Sequence, residues 1–165
     1  MVETKDFANK GLEDALKHRY ENVKLVVILV GTNDLGYSRI RGSASSSKIL
    51  EVSSSIANWI ETLHEISHNF KVPSLAISIP GSAFQTKNAG TSEVANKVNL
   101  LLEDWCTVHN DLCLYMQFPF QYENSDKNWS KDGLHLSKAG YRALAEKVAP
   151  MIQTAMICLG TENSK

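Results

Sequence analysis

"KLVVILVGTNDLG", residues 24–36, is the stretch on which the fold turns. From Leu25 to Val30 every side chain is apolar, so neither face of an extended chain here is polar. Such a run predicts a strand buried on both faces of a parallel sheet. It stops on Gly31-Thr32-Asn33-Asp34. These are turn formers: Gly tolerates positive φ, and Asn and Asp bond to their own backbone.

Two further strands are predicted outward from this one, "SLAISI" (74–79) behind Pro73 and "LCLYMQF" (112–118). The intervening segments have helical periodicity. In "FANKGLEDALKHRY" (7–20), Leu12, Ala15, Leu16 and Tyr20 recur at helical spacing. Ile49, Val52, Ile56, Trp59, Leu63 and Ile66 form the stripe of a long helix from about Lys48 to Asn69. "TSEVANKVNLLLEDWCTVH" (91–109) reads as a helix capped by Thr91 or Ser92. Ser137 caps a last helix to about Cys158, with Pro150 as its candidate kink. Trp59 and Trp105 lie on apolar stripes and are expected in the core.

Helices and strands alternating in this way mean an α/β domain built on a parallel sheet. We expect a single domain over residues 1–158 and a frayed tail, "LGTENSK" (159–165). In such sheets functional groups gather beyond the C-terminal strand ends. Here those ends carry Gly31–Asp34, then Pro80-Gly81-Ser82, then the loop Pro119–His135. Three strands are few, so an apolar edge is expected to stand uncovered.

Composition narrows the function. The 165 residues carry 17 basic and 18 acidic side chains, a net charge of −1, which is no footprint for nucleic acid. The longest apolar run, Leu25 to Val30, is too short to span a bilayer. The N-terminus has no signal-peptide h-region. Cys106, Cys113 and Cys158 are odd in number and lack metal-ligand spacing. They read as reduced thiols, and the expected location is cytoplasmic.

Chemistry concentrates in two places. Asp132 and His135 stand three apart around Gly133. A carboxylate beside an imidazole fixes its tautomer, and a positioned His base contributes about 10²–10⁴ in rate. Asn33, at a strand end after a glycine, can aim its amide at a developing oxyanion, worth about 3–4 kcal/mol. Alternatively, Asp132 is a turn residue before the last helix and Gly-Thr-Asn-Asp is only a turn.

In this order, "VILVGTNDLG" and "WSKDGLHLSKAGYRALAEKV" resemble blocks III and V of the SGNH (GDSL-type) esterase and lipase family. The resemblance implies a flavodoxin-like three-layer α/β/α fold. It also implies hydrolysis of an ester or acyl group by a serine nucleophile, without metal or other cofactor. The substrate would be a small-molecule, lipid or carbohydrate ester. Asn33 would be the oxyanion-hole side chain, Asp132 the orienting acid and His135 the base. Gly31 and Asp34 would shape the Asn33 turn, with Gly133 shaping the other loop. Trp129, three before Asp132, would either wall the acyl pocket or plug its loop onto the sheet.

The chain departs from the family pattern in having no Gly-Asp-Ser. By family logic the first two strands are missing, the first being the neighbour of "LVVILV". Ser43, Ser45, Ser46 and Ser47 in the loop after Asn33, and Ser82 in Pro-Gly-Ser, are the substitute nucleophiles. None is expected on a strand-to-helix elbow, so a flexible loop and a helix cap are the plainer roles. Losing a nucleophile costs on the order of 10⁶ in turnover, and these residues alone are expected to be nearly inactive. Either the nucleophile lies upstream, or the chain is an SGNH-derived binding protein whose bare strand edge is covered by a homodimer.

A separate motif is "HEISH", 64–68. On a helix His64 and His68 share a face and could hold zinc, with Glu65 as base, the reading of a zinc hydrolase. The plainer expectation is that both histidines are solvated on the surface.

Overall fold

A computed structural model describes residues 11–40, 42–124 and 126–159. Its elements run α1 (Glu13–Arg19), a 3₁₀ turn (Tyr20–Asn22), β1 (Val26–Ile28), α2 (Thr32–Tyr37) and α3 (Ser46–Asn69). There follow β2 (Ser74–Ile77), α4 (Ala83–Thr86), α5 (Ala89–Val108), β3 (Cys113–Met116) and α6 (Lys138–Cys158). The strands form a parallel sheet in the order β1-β2-β3, with Ala76 opposite both Ile28 and Tyr115. The architecture is the expected three-layer α/β/α.

The period-2 alternation of β2 divides the core. Ala76 faces α3 and α5, in a cluster with Ile56, Ile60, Val94, Val98 and Leu102. Leu75 and Ile77 face the other way, against Val148, Met151 and Ile152 of α6 and against Phe118 and Trp129. All four residues of β2 are buried, as a central strand covered on both faces must be.

β1 departs from its prediction. Val26 and Ile28 pack on Leu63 and Ile66 of α3, but Val27 is 40% exposed and Leu29 36%. The run is apolar on both faces, yet β1 is an edge of the sheet and only α3 covers it fully.

The strands are also shorter than their apolar runs, because side chains take over the ladder. Past Ile77, the Ile79 N–H donates to Asn99 Oδ1 at 2.8 Å, and the Asn99 amide donates to the Ile79 carbonyl at 3.1 Å. The Phe118 N–H goes to Ser78 Oγ at 2.8 Å. The chain thus splays at the C-terminal rim without leaving these buried groups unpaired.

Helix ends shift for similar reasons. Neither Thr91 nor Ser92 caps α5; Asn88 holds that position. Thr91 is fully buried and its hydroxyl donates to the Ile40 carbonyl at 2.8 Å. Gly90 lets the helix touch the loop before α3, since a Cβ there would lie 2.5 Å from the Gly42 carbonyl oxygen. Ser137 caps α6 as expected, and the helix continues through Pro150. Leu159 is buried rather than frayed, and residues 160–165 lie outside the described set. Trp59 and Trp105 are half-buried rather than fully in the core.

Leu102 is 1% exposed between α3 and the sheet, whereas Leu100, two residues away, is 55% exposed. Leu102→Ala is expected to destabilise by about 2–5 kcal/mol. Leu100→Ala should change stability by about 0.5 kcal/mol or less. Urea unfolding of both variants checks this, and equal losses would refute the core assignment.

Candidate active site

Gly31 makes the turn from β1 into α2 with φ of 105°, a left-handed backbone that glycine adopts without strain. A Cβ at this position would also come within 2.6 Å of Ile79 Cδ1. Bulk is excluded from both sides, and the chain passes directly into the first turn of α2. Thr32 and Asn33 therefore stand at the rim, with Asn33 exposed and Asp34 buried beneath it.

The second loop is held by aromatic packing. Trp129 is 7% exposed against Phe118, Phe120 and Tyr122, and its indole N–H donates to the Gln121 carbonyl at 3.3 Å. Its backbone bridges Leu136 in antiparallel fashion. This packing is that of a side chain holding its loop onto the sheet. It fastens both ends of residues 130–135.

Inside that clamp the Asp132 carboxylate collects hydrogen bonds. Oδ2 lies 2.7 Å from His135 Nδ1. Oδ1 accepts from the Leu134 N–H at 2.9 Å, the His135 N–H at 3.0 Å and Ser130 Oγ at 3.2 Å. The His135 ring bond, followed by the two backbone bonds, holds the Asp132 carboxyl well below the usual carboxylate range. The two readings of Asp132 coexist: it is a turn residue through Oδ1 and the partner of the imidazole through Oδ2. Ser130 was not singled out from the sequence. Its hydroxyl also reaches the His135 carbonyl at 3.0 Å, and its only signal was a hydroxyl two residues before an Asp.

Gly133 brings the third rim segment in. Its φ is 66°, and a Cβ would lie 2.5 Å from that of Ala83 and 2.8 Å from the Tyr122 hydroxyl. The Ala83 N–H donates to the Gly133 carbonyl at 2.8 Å. α4 and Ser82 are thus tied to the Asp132 loop by backbone. The result is a cavity of about 440 Å³ lined by Thr32, Asn33, Ser82 and Asp132, with Leu35, Tyr37, Phe84 and Leu134 as its apolar wall.

The candidate serines separate here. Ser82 lines the cavity, is 3% exposed and caps α4 by accepting from the Gln85 N–H at 3.3 Å. Ser43 is exposed and away from the cavity, and Ser45 caps α3. Among the described residues no hydroxyl bonds to His135 Nε2. Asn33, Ser82 and Asp132 are brought together; Ser43 and Ser45 are not.

The "HEISH" histidines are not on the surface. His64 is fully buried and His68 half-buried, because that face of α3 turns under toward the start of β2; Glu65 points outward and is exposed. No helix of the described residues is long and apolar enough to cross a membrane.

The hydrogen bonds on Asp132 predict a titration. A depressed folded-state pKa means the pair's contribution is present above the unfolded value, about 3.9, and is lost only as pH falls further. A carboxyl-carbon NMR titration is expected to place the Asp132 midpoint below that value. A midpoint at or above 4 would contradict the network.

Comparison with known proteins bears on the fold and the family. No curated protein matches the chain as a relative. A crystal structure from Bacteroides fragilis NCTC 9343, of a protein assigned as an acylhydrolase, superposes with a TM-score of 0.58 at 14% identity. The match covers 81% of this chain and 62% of that one, so the chain spans less than two thirds of that protein's length. At this identity the match speaks for the fold. The model of the GDSL-like lipase/acylhydrolase family matches residues 4–143, nearly from the first helix to the last, and the chain belongs to that family.

Proposed function

We propose that the chain serves in hydrolysis of an acyl ester, with Asp132 and His135 as the acid–base pair and Asn33 as the oxyanion donor. The observation that carries this reading is the 2.7 Å contact between Asp132 Oδ2 and His135 Nδ1 beside a cavity that Asn33 shares. With Nδ1 committed to the carboxylate, Nε2 is left to take a proton from an attacking hydroxyl. Asn33 is the side chain available to the oxygen on which charge then develops. Family membership supports the reaction class, and the resemblance of "VILVGTNDLG" and "WSKDGLHLSKAGYRALAEKV" to blocks III and V is the ground for the roles.

The attacking hydroxyl has two candidates. Ser82 lines the same cavity, but its oxygen already caps α4. A serine outside the described residues, as the family pattern has it, is the alternative. The cavity, with its apolar wall, suits a short acyl group on a small-molecule, lipid or carbohydrate ester. A second reading, an ester-binding protein without turnover, is favoured by the lack of a described hydroxyl bonded to Nε2.

Rates with a short-chain nitrophenyl ester, on the protein as its cell makes it, separate the two. His135→Ala is expected to lower kcat by about 10²–10⁴. Asn33→Ala is expected to cost about 10²–10³ in kcat with KM little changed. Full activity in His135→Ala would end the acid–base assignment, and saturable binding without product would favour the second reading.

We also propose that the bare face of β1, Val27 and Leu29, is covered by a second copy of the chain. Light scattering behind size exclusion is expected to give a dimer mass. A monomer with Val27→Thr as stable as wild type would contradict it. A cytoplasmic location is likewise proposed, from reduced Cys106 and Cys113; detection of a Cys106–Cys113 disulfide in the native protein would contradict it.

A further inference from the structure

At the opposite end of the sheet from the rim lies a second cluster that the ester chemistry does not use. Ser74 and Cys113 are the first residues of β2 and β3 and are register partners. Above them the last turns of α3 place His64 and His68, at i and i+4, on one face. His64, His68 and Cys113 each offer a donor atom, and the three lie within 4.8 Å of one another. A fourth donor is adjacent: Cys106 Sγ, on α5, is 3.1 Å from Cys113 Sγ. His64 is 0% exposed, Cys113 1% and Cys106 3%.

Three donor atoms of this cluster converge on a single hydroxyl. Ser74 Oγ is 2.7 Å from His64 Nδ1, 2.9 Å from His68 Nε2 and 3.5 Å from Cys113 Sγ. The hydroxyl can accept from both ring N–H groups and donate to the sulfur, so three metal-binding atoms already face one point.

We infer that Cys106, Cys113, His64 and His68 form a binding site for a zinc ion, closed and structural. Two thiolates and two imidazoles are a common tetrahedral set, with donors at about 2.0–2.3 Å from the metal. Around such an ion the donors stand roughly 3.3–3.8 Å apart. The observed 3.8 Å from Cys113 Sγ to His64 Nδ1 already fits, whereas on binding the two sulfurs, now 3.1 Å apart, separate and the Ser74 hydroxyl turns aside from the donors it bridges. Binding releases one proton from each thiol, so Zn²⁺ and two thiolates are neutral together, which suits a buried position. Half-buried His68 offers the ion its way in. The site differs from the zinc-hydrolase reading of "HEISH": Glu65 is exposed, outside the donor set, and four protein ligands leave no position for a reacting water. It also departs from the expectation, carried by the family resemblance, that no metal is held.

The test is Co²⁺ titration of the full chain under reducing conditions. One equivalent is expected to give the visible bands of tetrahedral Co²⁺ and a near-ultraviolet thiolate charge-transfer band, both displaced by Zn²⁺. Trp105 stacks on His68, so its fluorescence should fall as Co²⁺ binds. Cys113→Ser and His68→Gln should each weaken binding by at least the 10–100-fold that outer-shell changes cost. Glu65→Gln and the exposed Cys158→Ser should leave it unchanged. A reduced, folded wild-type chain with no charge-transfer band overturns the site. A Cys106–Cys113 disulfide in the native protein also overturns it, making the pair a redox element instead.

Discussion

Four residues, Ser74–Ile77, organise the molecule, because β2 is hydrogen-bonded on both sides and covered on both faces. Burying them requires apolar stripes above and below, which α3 with α5 and α6 supply. Once that strand is central, its two ends acquire different chemistry. At the C-terminal end the ladder splays, and Pro80–Ser82 meets the Gly31–Asp34 turn and the Asp132 loop. At the N-terminal end the sheet closes tightly on His64, Ser74, Cys106 and Cys113. Neither place is built by one motif; each depends on how β2 aligns its neighbours.

The rim is held mainly by exclusion of bulk and by backbone. Gly31 and Gly133 both adopt positive φ, and both lie against side chains that leave no room for a Cβ. Trp129 seals the ends of the Asp132 loop, and the Ala83–Gly133 hydrogen bond joins it to the segment carrying Ser82. The Asp132–His135 pair itself is well exposed, with the imidazole side chain at 68%. Its geometry is therefore set by short-range bonds to the loop backbone rather than by burial, and a substrate or a covering segment would shield it further. Pre-organisation of this kind is what the general base proposed at His135 would need before any substrate arrives.

Much of this was legible in the sequence because it rests on local signals. The apolar run 25–30, the stripe from Ile49 to Ile66 and the Ser137 cap each specify one element through nearest neighbours. Asn33, Asp132 and His135 stood out as candidates because glycines and strand ends marked the same rim. What was hidden depends on distant partners. Val27 reads as buried until the sheet order makes β1 an edge. Thr91 reads as a cap until the Ile40 carbonyl claims its hydroxyl. His64 and His68 read as surface residues, since nothing near them in sequence says that Cys113, 49 residues beyond His64, will lie against them.

The central claim is that His135 activates a serine for attack on an ester. It is tested most directly by a serine-directed fluorophosphonate probe applied to the protein as its cell makes it, with the labelled peptide mapped by mass spectrometry. The account predicts a single labelled serine, with labelling lost in His135→Ala. The position of that serine then says whether Ser82 or a residue outside the described set is the nucleophile. Labelling undiminished in His135→Ala, or no labelled serine at all, would contradict it.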